Sequence, residues 1–139
     1  MPSPNWSEVA SVQIQAPRWE LWVRVMDFVR GPRRIRIEAS GRWYLEYDMY
    51  CGPDGRTDDG FDEKSLHKAA LRGCLLAKIG GSAGDTPGDG LMKAVGSYCV
   101  FEIGADMSGA LFVTMNDRPE RFYKHSGELT VTVYDAPPG

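Results

Sequence analysis

The chain reads as an all-β domain, a two-sheet antiparallel β-sandwich of about eight short strands. Two features carry this reading. Proline, glycine and aspartate break the sequence every ten residues or so, and β-branched and aromatic runs fill the intervals. The last two runs alternate strictly, with Leu111, Val113 and Met115 on one side of the first and Leu129, Val131 and Val133 on the inner side of the second. A period of two is the mark of a half-buried strand.

Val12 to Gln15 opens the domain, with Val12 and Ile14 on one face. Glu20 to Val29 places Leu21, Val23 and Val25 opposite Trp22, Met26 and Phe28. Trp19, Trp22, Val23 and Met26 also fit helical spacing, but aromatic and β-branched content favours a strand. Gly31-Pro32 makes a turn, after which Ile35 and Ile37 point inward from Arg34–Ser40, and Trp43–Tyr47 extends the sheet. Cys51-Gly52-Pro53-Asp54-Gly55 breaks it, and Asp54 to Glu63 forms an acidic loop. Asp62 is placed to cap a two-turn helix running through His67 to Arg72 and closed by Gly73. Leu75, Ala77 and Ile79 then resume an extended pattern, and Phe101 and Ile103 supply the next strand. Residues 1–11 are read as a tail and 12–136 as one domain.

At 139 residues the chain is long enough to bury a core without staples. Its 42% apolar and 25% charged residues are ordinary for a globular protein. A net charge of −3 argues against nucleic acid as the partner. The basic cluster Arg30, Arg33, Arg34 and Arg36 alternates with Ile35 and Ile37, as on the solvated side of a strand. No apolar run is long enough to insert in a membrane. Met1 to Trp6 has no secretory pattern, so cytoplasmic synthesis is expected, with non-classical export left open. Cys51, Cys74 and Cys99 form no CxxC pair and are expected to be reduced thiols.

Catalysis needs positioned acids, bases or nucleophiles. The chain has two histidines, His67 and His125, and neither a Gly-x-Ser-x-Gly nor a His-Glu-x-x-His motif. No carboxylate pair stands out for glycoside hydrolysis, and a non-enzyme is expected. The acidic loop fails the EF-hand template, because the sixth and twelfth places from Asp54 hold Asp59 and Ser65. Trp22, Trp43, Tyr44 and Tyr47 are candidates for stacking on sugar rings or for filling the core.

The loop between the last two strands holds Asn116-Asp117 at its start and Ser126-Gly127 at its end, which brings polar groups from both ends to one mouth of the sheet. Gly73 to Gly80, Ser108-Gly109-Ala110-Leu111-Phe112-Val113, Asn116-Asp117 and His125-Ser126-Gly127-Glu128-Leu129-Thr130-Val131, in that order, resemble the PA-IL (LecA)-like family of bacterial galactophilic lectins. Upstream, Pro32 to Trp43 and Cys51-Gly52-Pro53-Asp54-Gly55 extend the resemblance, which covers Val12 to Tyr134.

The resemblance implies a β-sandwich that binds a galactoside through calcium. Asp117 matches the family's metal-binding aspartate, beside Asn116. Lys124 and His125 stand where two amide oxygens are expected, and Arg121 where the family has a small polar residue. An ammonium offers no acceptor and carries the wrong sign for a cation site. Lys124 or Arg121 is therefore expected either to take calcium's electrostatic role beside Asp117 or to be an exposed loop charge. Asp59 and Asp62 correspond roughly to the family's sugar-contacting His and Gln, and otherwise belong to a solvated acidic loop. The expected function is carbohydrate binding, of a galactoside or related glycan, without an intact calcium site. The alternative is a non-enzymatic interaction or assembly module on a lectin scaffold. Glu128, Thr130, Thr132 and Tyr134 line a flat outer face, and assembly into a dimer or tetramer is expected.

Overall fold

A computed structural model describes residues 5–58, 60–87 and 91–139. Its strands are β1 (Ser7–Gln15), β2 (Val23–Arg30), β3 (Arg33–Glu46), β4 (Met49–Cys51), β5 (Leu75–Ile79), β6 (Lys93–Ala94), β7 (Tyr98–Ile103), β8 (Ser108–Met115) and β9 (Ser126–Ala136). One sheet runs β1-β9-β3-β4, with β7 also paired to β3, and the other runs β2-β8-β5-β6. All the pairings are antiparallel. This is the two-sheet sandwich the alternation predicted. β1 starts at Ser7, ahead of the Val12 at which the domain was expected to open.

The core sits between the sheets because the inward sets of both alternate in register. Ile14, Ile35, Ile37, Trp43, Leu75, Leu111, Val113, Leu129, Val131 and Val133 are buried together, with Ile79 packed against them. Burying each such side chain stabilises by about 1.5–3 kcal/mol. In β2 the period of two fails, because the ladder to β8 shifts between Arg24 and Met26 and again before Val29. Bulges turn Val25 and Val29 inward and leave Phe28 exposed.

A second cluster covers the outer face of the β5–β8 sheet, where Leu76 and Phe112 meet Trp22, Ala70, Cys74 and Met92. Lys78, on the same face, is buried with its Nζ over the rings of Trp22 and Phe112. Its ammonium is satisfied by Ser82 O and by an ion pair with Asp85. Burial pushes the Cys74 thiol up to about 11, so it is an inert core group at neutral pH.

Residues 61–72, read from the sequence as a loop leading into a capped helix, form a series of turns and bends. Among the described residues, no helix is long and apolar enough to cross a membrane.

Candidate functional site

β8 ends at Met115 and delivers Asn116 and Asp117 to one end of the sandwich, beneath the 61–72 segment. Asn116 is fully buried. Its Nδ2 donates to the carbonyls of His67, Ala70 and Leu71 at 2.9, 3.0 and 3.0 Å, while its Oδ1 accepts from His67 N at 2.9 Å. One amide thus organises the turns. Gly73 closes the segment, donating its N–H to Asn116 O and accepting from Trp43 Nε1, each bond within ordinary length. Its φ of +85° and the closeness of Cys51 Sγ exclude a side chain there.

Asp117 is fully buried as well. Its Oδ1 accepts from Arg72 Nε and NH2 at 3.3 and 3.2 Å and from the Arg118 N–H at 2.8 Å. Its Oδ2 meets His125 Nε2 at 2.9 Å. Burial by itself would raise this carboxyl, but the His125 bond, the Arg118 N–H and the Arg72 charge together hold it below the ordinary 3.8. The other nitrogen of His125, Nδ1, lies 2.9 Å from Pro17 O, which can only accept. Nδ1 therefore donates to Pro17, and Nε2 faces Asp117, so both ring nitrogens are engaged inside the protein. Phe122, in the 3₁₀ helix Pro119–Lys124, packs its ring 4.5 Å from that of His125.

The groups that meet Asp117 are therefore Arg72, the Arg118 N–H and His125, not Lys124 or Arg121, of which the sequence reading expected either that place or an exposed loop charge. Lys124 instead reaches Glu46 at 3.1 Å. Arg121 is half-buried in the 3₁₀ helix, where its backbone N–H bonds Arg118 O. Lys124 is held by Glu46, while the 61–72 turns bring Arg72 onto Asp117. Arg118 pairs with Asp62 at 2.6 Å and holds that carboxyl below its ordinary value. Asp59 lies outside the described residues.

Above this network is an open cleft of about 550 Å³ lined by Phe61, Asp62, Glu63, Lys64, Lys68, Arg72 and Arg118. Phe61 is exposed on its wall. The acidic loop is dispersed, with Asp54 accepting from Ser97 N and Oγ at 2.7 and 3.1 Å and Asp58 paired to Arg56. Among the described residues, no three acidic, histidine or cysteine side chains are grouped to hold a metal ion. Of the aromatics considered for stacking, Trp22 and Trp43 are core groups whose indole N–H bonds Asp85 O and Gly73 O, while Tyr47 is almost wholly exposed. Arg72, Phe61 and Arg118 were missed in the sequence. The one signal for Arg72 was a lone cation beside an invading glycine turn, which reads equally well as a helix C-terminus.

The two antiparallel sheets define the chain as a β-sandwich protein. Among solved structures, the chain is similar to the N-terminal domain of EclA, a PllA-like lectin, with a TM-score of 0.64 and 20% sequence identity over 92% of this chain and 97% of that one. At that identity the likeness is one of fold, and it bears out the resemblance to PA-IL (LecA)-like lectins at that level. No family model matches the chain, and no curated protein matches it.

Proposed function

We propose that this domain is a non-enzymatic carbohydrate-binding module for a galactoside or related glycan, and that it works without a calcium ion at Asp117. The observation that carries the reading is the shared fold with a lectin domain along nearly the full length of both chains. Against calcium stands the chemistry of the donor set. A calcium ion takes six to eight oxygens, whereas both oxygens of Asp117 face N–H donors from Arg72, Arg118 and His125. A divalent cation there would have to displace the Arg72 guanidinium and the His125 ring from a buried carboxylate.

In this reading Asn116, Asp117 and His125 position the loop from below, and the residues of the cleft reach the ligand. Asp62 accepts sugar hydroxyls, Arg118 donates, and Phe61 offers an apolar wall. Arg121 and Lys124 are assigned to the rim. The test is a glycan array probed in chelator and in millimolar calcium. Equal binding of galactose-terminated glycans in both is expected, and binding only with calcium overturns the reading.

A second reading is favoured by a specific observation. The polar atoms of Asn116, Asp117 and His125 are consumed inside the protein. That is what a lectin scaffold converted to a protein-interaction module would show. An array blank for all glycans in both conditions selects it.

A further inference from the structure

β1 and β2 are the edge strands of their two sheets and lie against each other along one side of the sandwich. Between them runs an open groove of about 620 Å³, within the ~300–1,000 Å³ typical of ligand clefts. It is separate from the cleft over Asp117. Its floor is apolar, from Ile14 and Trp22, and its walls carry Gln13, Gln15, Glu20 and Arg24. Trp19 stands on its rim with 82% of its surface exposed.

That tryptophan stands beside an anchored cation. Arg18 Nε and NH2 donate to Tyr123 O at 3.2 and 3.0 Å, which anchors the guanidinium to the 3₁₀ helix. The guanidinium in turn lies 5.3 Å from the Trp19 ring centroid. One face of the indole rests on an anchored cation, and the exposure of the residue leaves the other to solvent. Pro17, the next residue back, bonds His125 through its carbonyl, so the whole turn is tied to the buried Asp117 network. A large aromatic that is exposed beside an anchored cation forgoes burial and offers a stacking surface.

We propose that the β1–β2 groove is a second carbohydrate site, taking a neutral oligosaccharide that stacks a sugar ring on Trp19. This rests on the lectin reading above. The C–H face of a pyranose is apolar and faintly positive, which suits the electron-rich indole face. Sugar hydroxyls need donors and acceptors beside that face, and Gln13 and Glu20 of the lining supply both kinds, while the Gln15 amide is held by Glu128 and Arg24 lies over Phe112. Arg24 lies 3.7 Å from Asp27. Arg18 is taken up by Tyr123 O and Arg24 by Asp27, and Glu20 is the one carboxylate of the lining, so no cluster of one sign is there to demand an ionic ligand.

The test compares the intact chain with Trp19→Ala, Trp19→Phe and Arg118→Ala on the same array of lactose, longer galactose-terminated chains and neutral glucans, alongside iodide quenching of tryptophan fluorescence. Trp22 and Trp43 are buried and Trp6 is half-buried, so the signal of Trp19 is read as the difference in iodide quenching between the intact chain and Trp19→Phe. Trp19→Ala is expected to lower binding of longer chains by about tenfold or more. Trp19→Phe should retain part of it, and bound oligosaccharide should protect the fluorescence from iodide. An unchanged melting temperature in Trp19→Ala is expected of a surface residue and excludes unfolding as the cause. Undiminished binding by Trp19→Ala, with the loss confined to Arg118→Ala, overturns the groove while leaving the lectin reading intact. A wild-type chain that binds no glycan overturns both. A change in oligomeric mass on replacing Trp19, without protection by sugar, overturns the proposal in favour of a second copy of the chain in the groove.

Discussion

Asp117 shows how a single buried carboxylate can be tolerated. Its side chain is 1% exposed, and it survives as an anion because Arg72 and His125 face it from two segments far apart in sequence. Removing one member of such a set leaves the others unpaired. Asp117→Ala should therefore destabilise the domain by about 3–5 kcal/mol, read from urea midpoints at constant slope. The acid limb follows with a definite sign. Asp117 and Asp62 both titrate lower when folded, so the folded state binds protons less readily than the unfolded chain. Their stabilisation is complete above the ordinary carboxylate range and is lost as pH falls below 3.8. A thermal melting series from pH 6 to pH 2 should fall most steeply at the acid end, and Asp117→Ala should flatten that fall. Little of this was legible in the sequence. Asn116 and Asp117 stood out as polar residues at a strand end, but their partners Pro17, His67 and Arg72 become neighbours only through the fold.

At the scale of elements, strands were legible wherever the core-facing residues alternate in the sequence, in β8 even though a second cluster covers its other face. β8 and β9 alternate without interruption, and their inward residues are all buried. β2 was read on the wrong phase in part, since a bulge shifts faces without altering composition. The 61–72 segment was misread for a different reason. Its composition suits a helix, but the carbonyls of His67, Ala70 and Leu71 are taken by Asn116 from β8. His67 O and Leu71 O keep only i+3 bonds, from Ala70 N and Cys74 N, and share them with Asn116, so the segment closes as turns. Gly73 secures the outcome, and Gly73→Ala should cost about 2 kcal/mol or more, because its φ of +85° and the Cys51 sulfur both oppose a Cβ. Guanidinium denaturation of the variant beside wild type measures it.

Over the whole molecule, two sheets share one core and expose two kinds of surface. The loop end carries the charged cleft, and the β1–β2 side carries the Trp19 groove. A third surface is the outer face of the β1-β9-β3 sheet, where Thr130, Thr132 and Tyr134 line a shallow depression with Glu38 and Ser40. We expect this flat, polar face to join copies of the chain into a dimer or tetramer, multiplying weak sites into avidity. Light scattering at high concentration should give a multiple of the 15.4 kDa chain mass, and a monomer mass rejects the expectation.

The account turns on a lectin fold whose loop is held by its own cations. Thermal unfolding in chelator and in millimolar calcium tests that most directly, because a ligand that does not bind the native state cannot stabilise it. Identical melting temperatures are predicted. A rise with calcium that Asp117→Ala abolishes would show that the metal displaces Arg72 and His125, and would contradict the account.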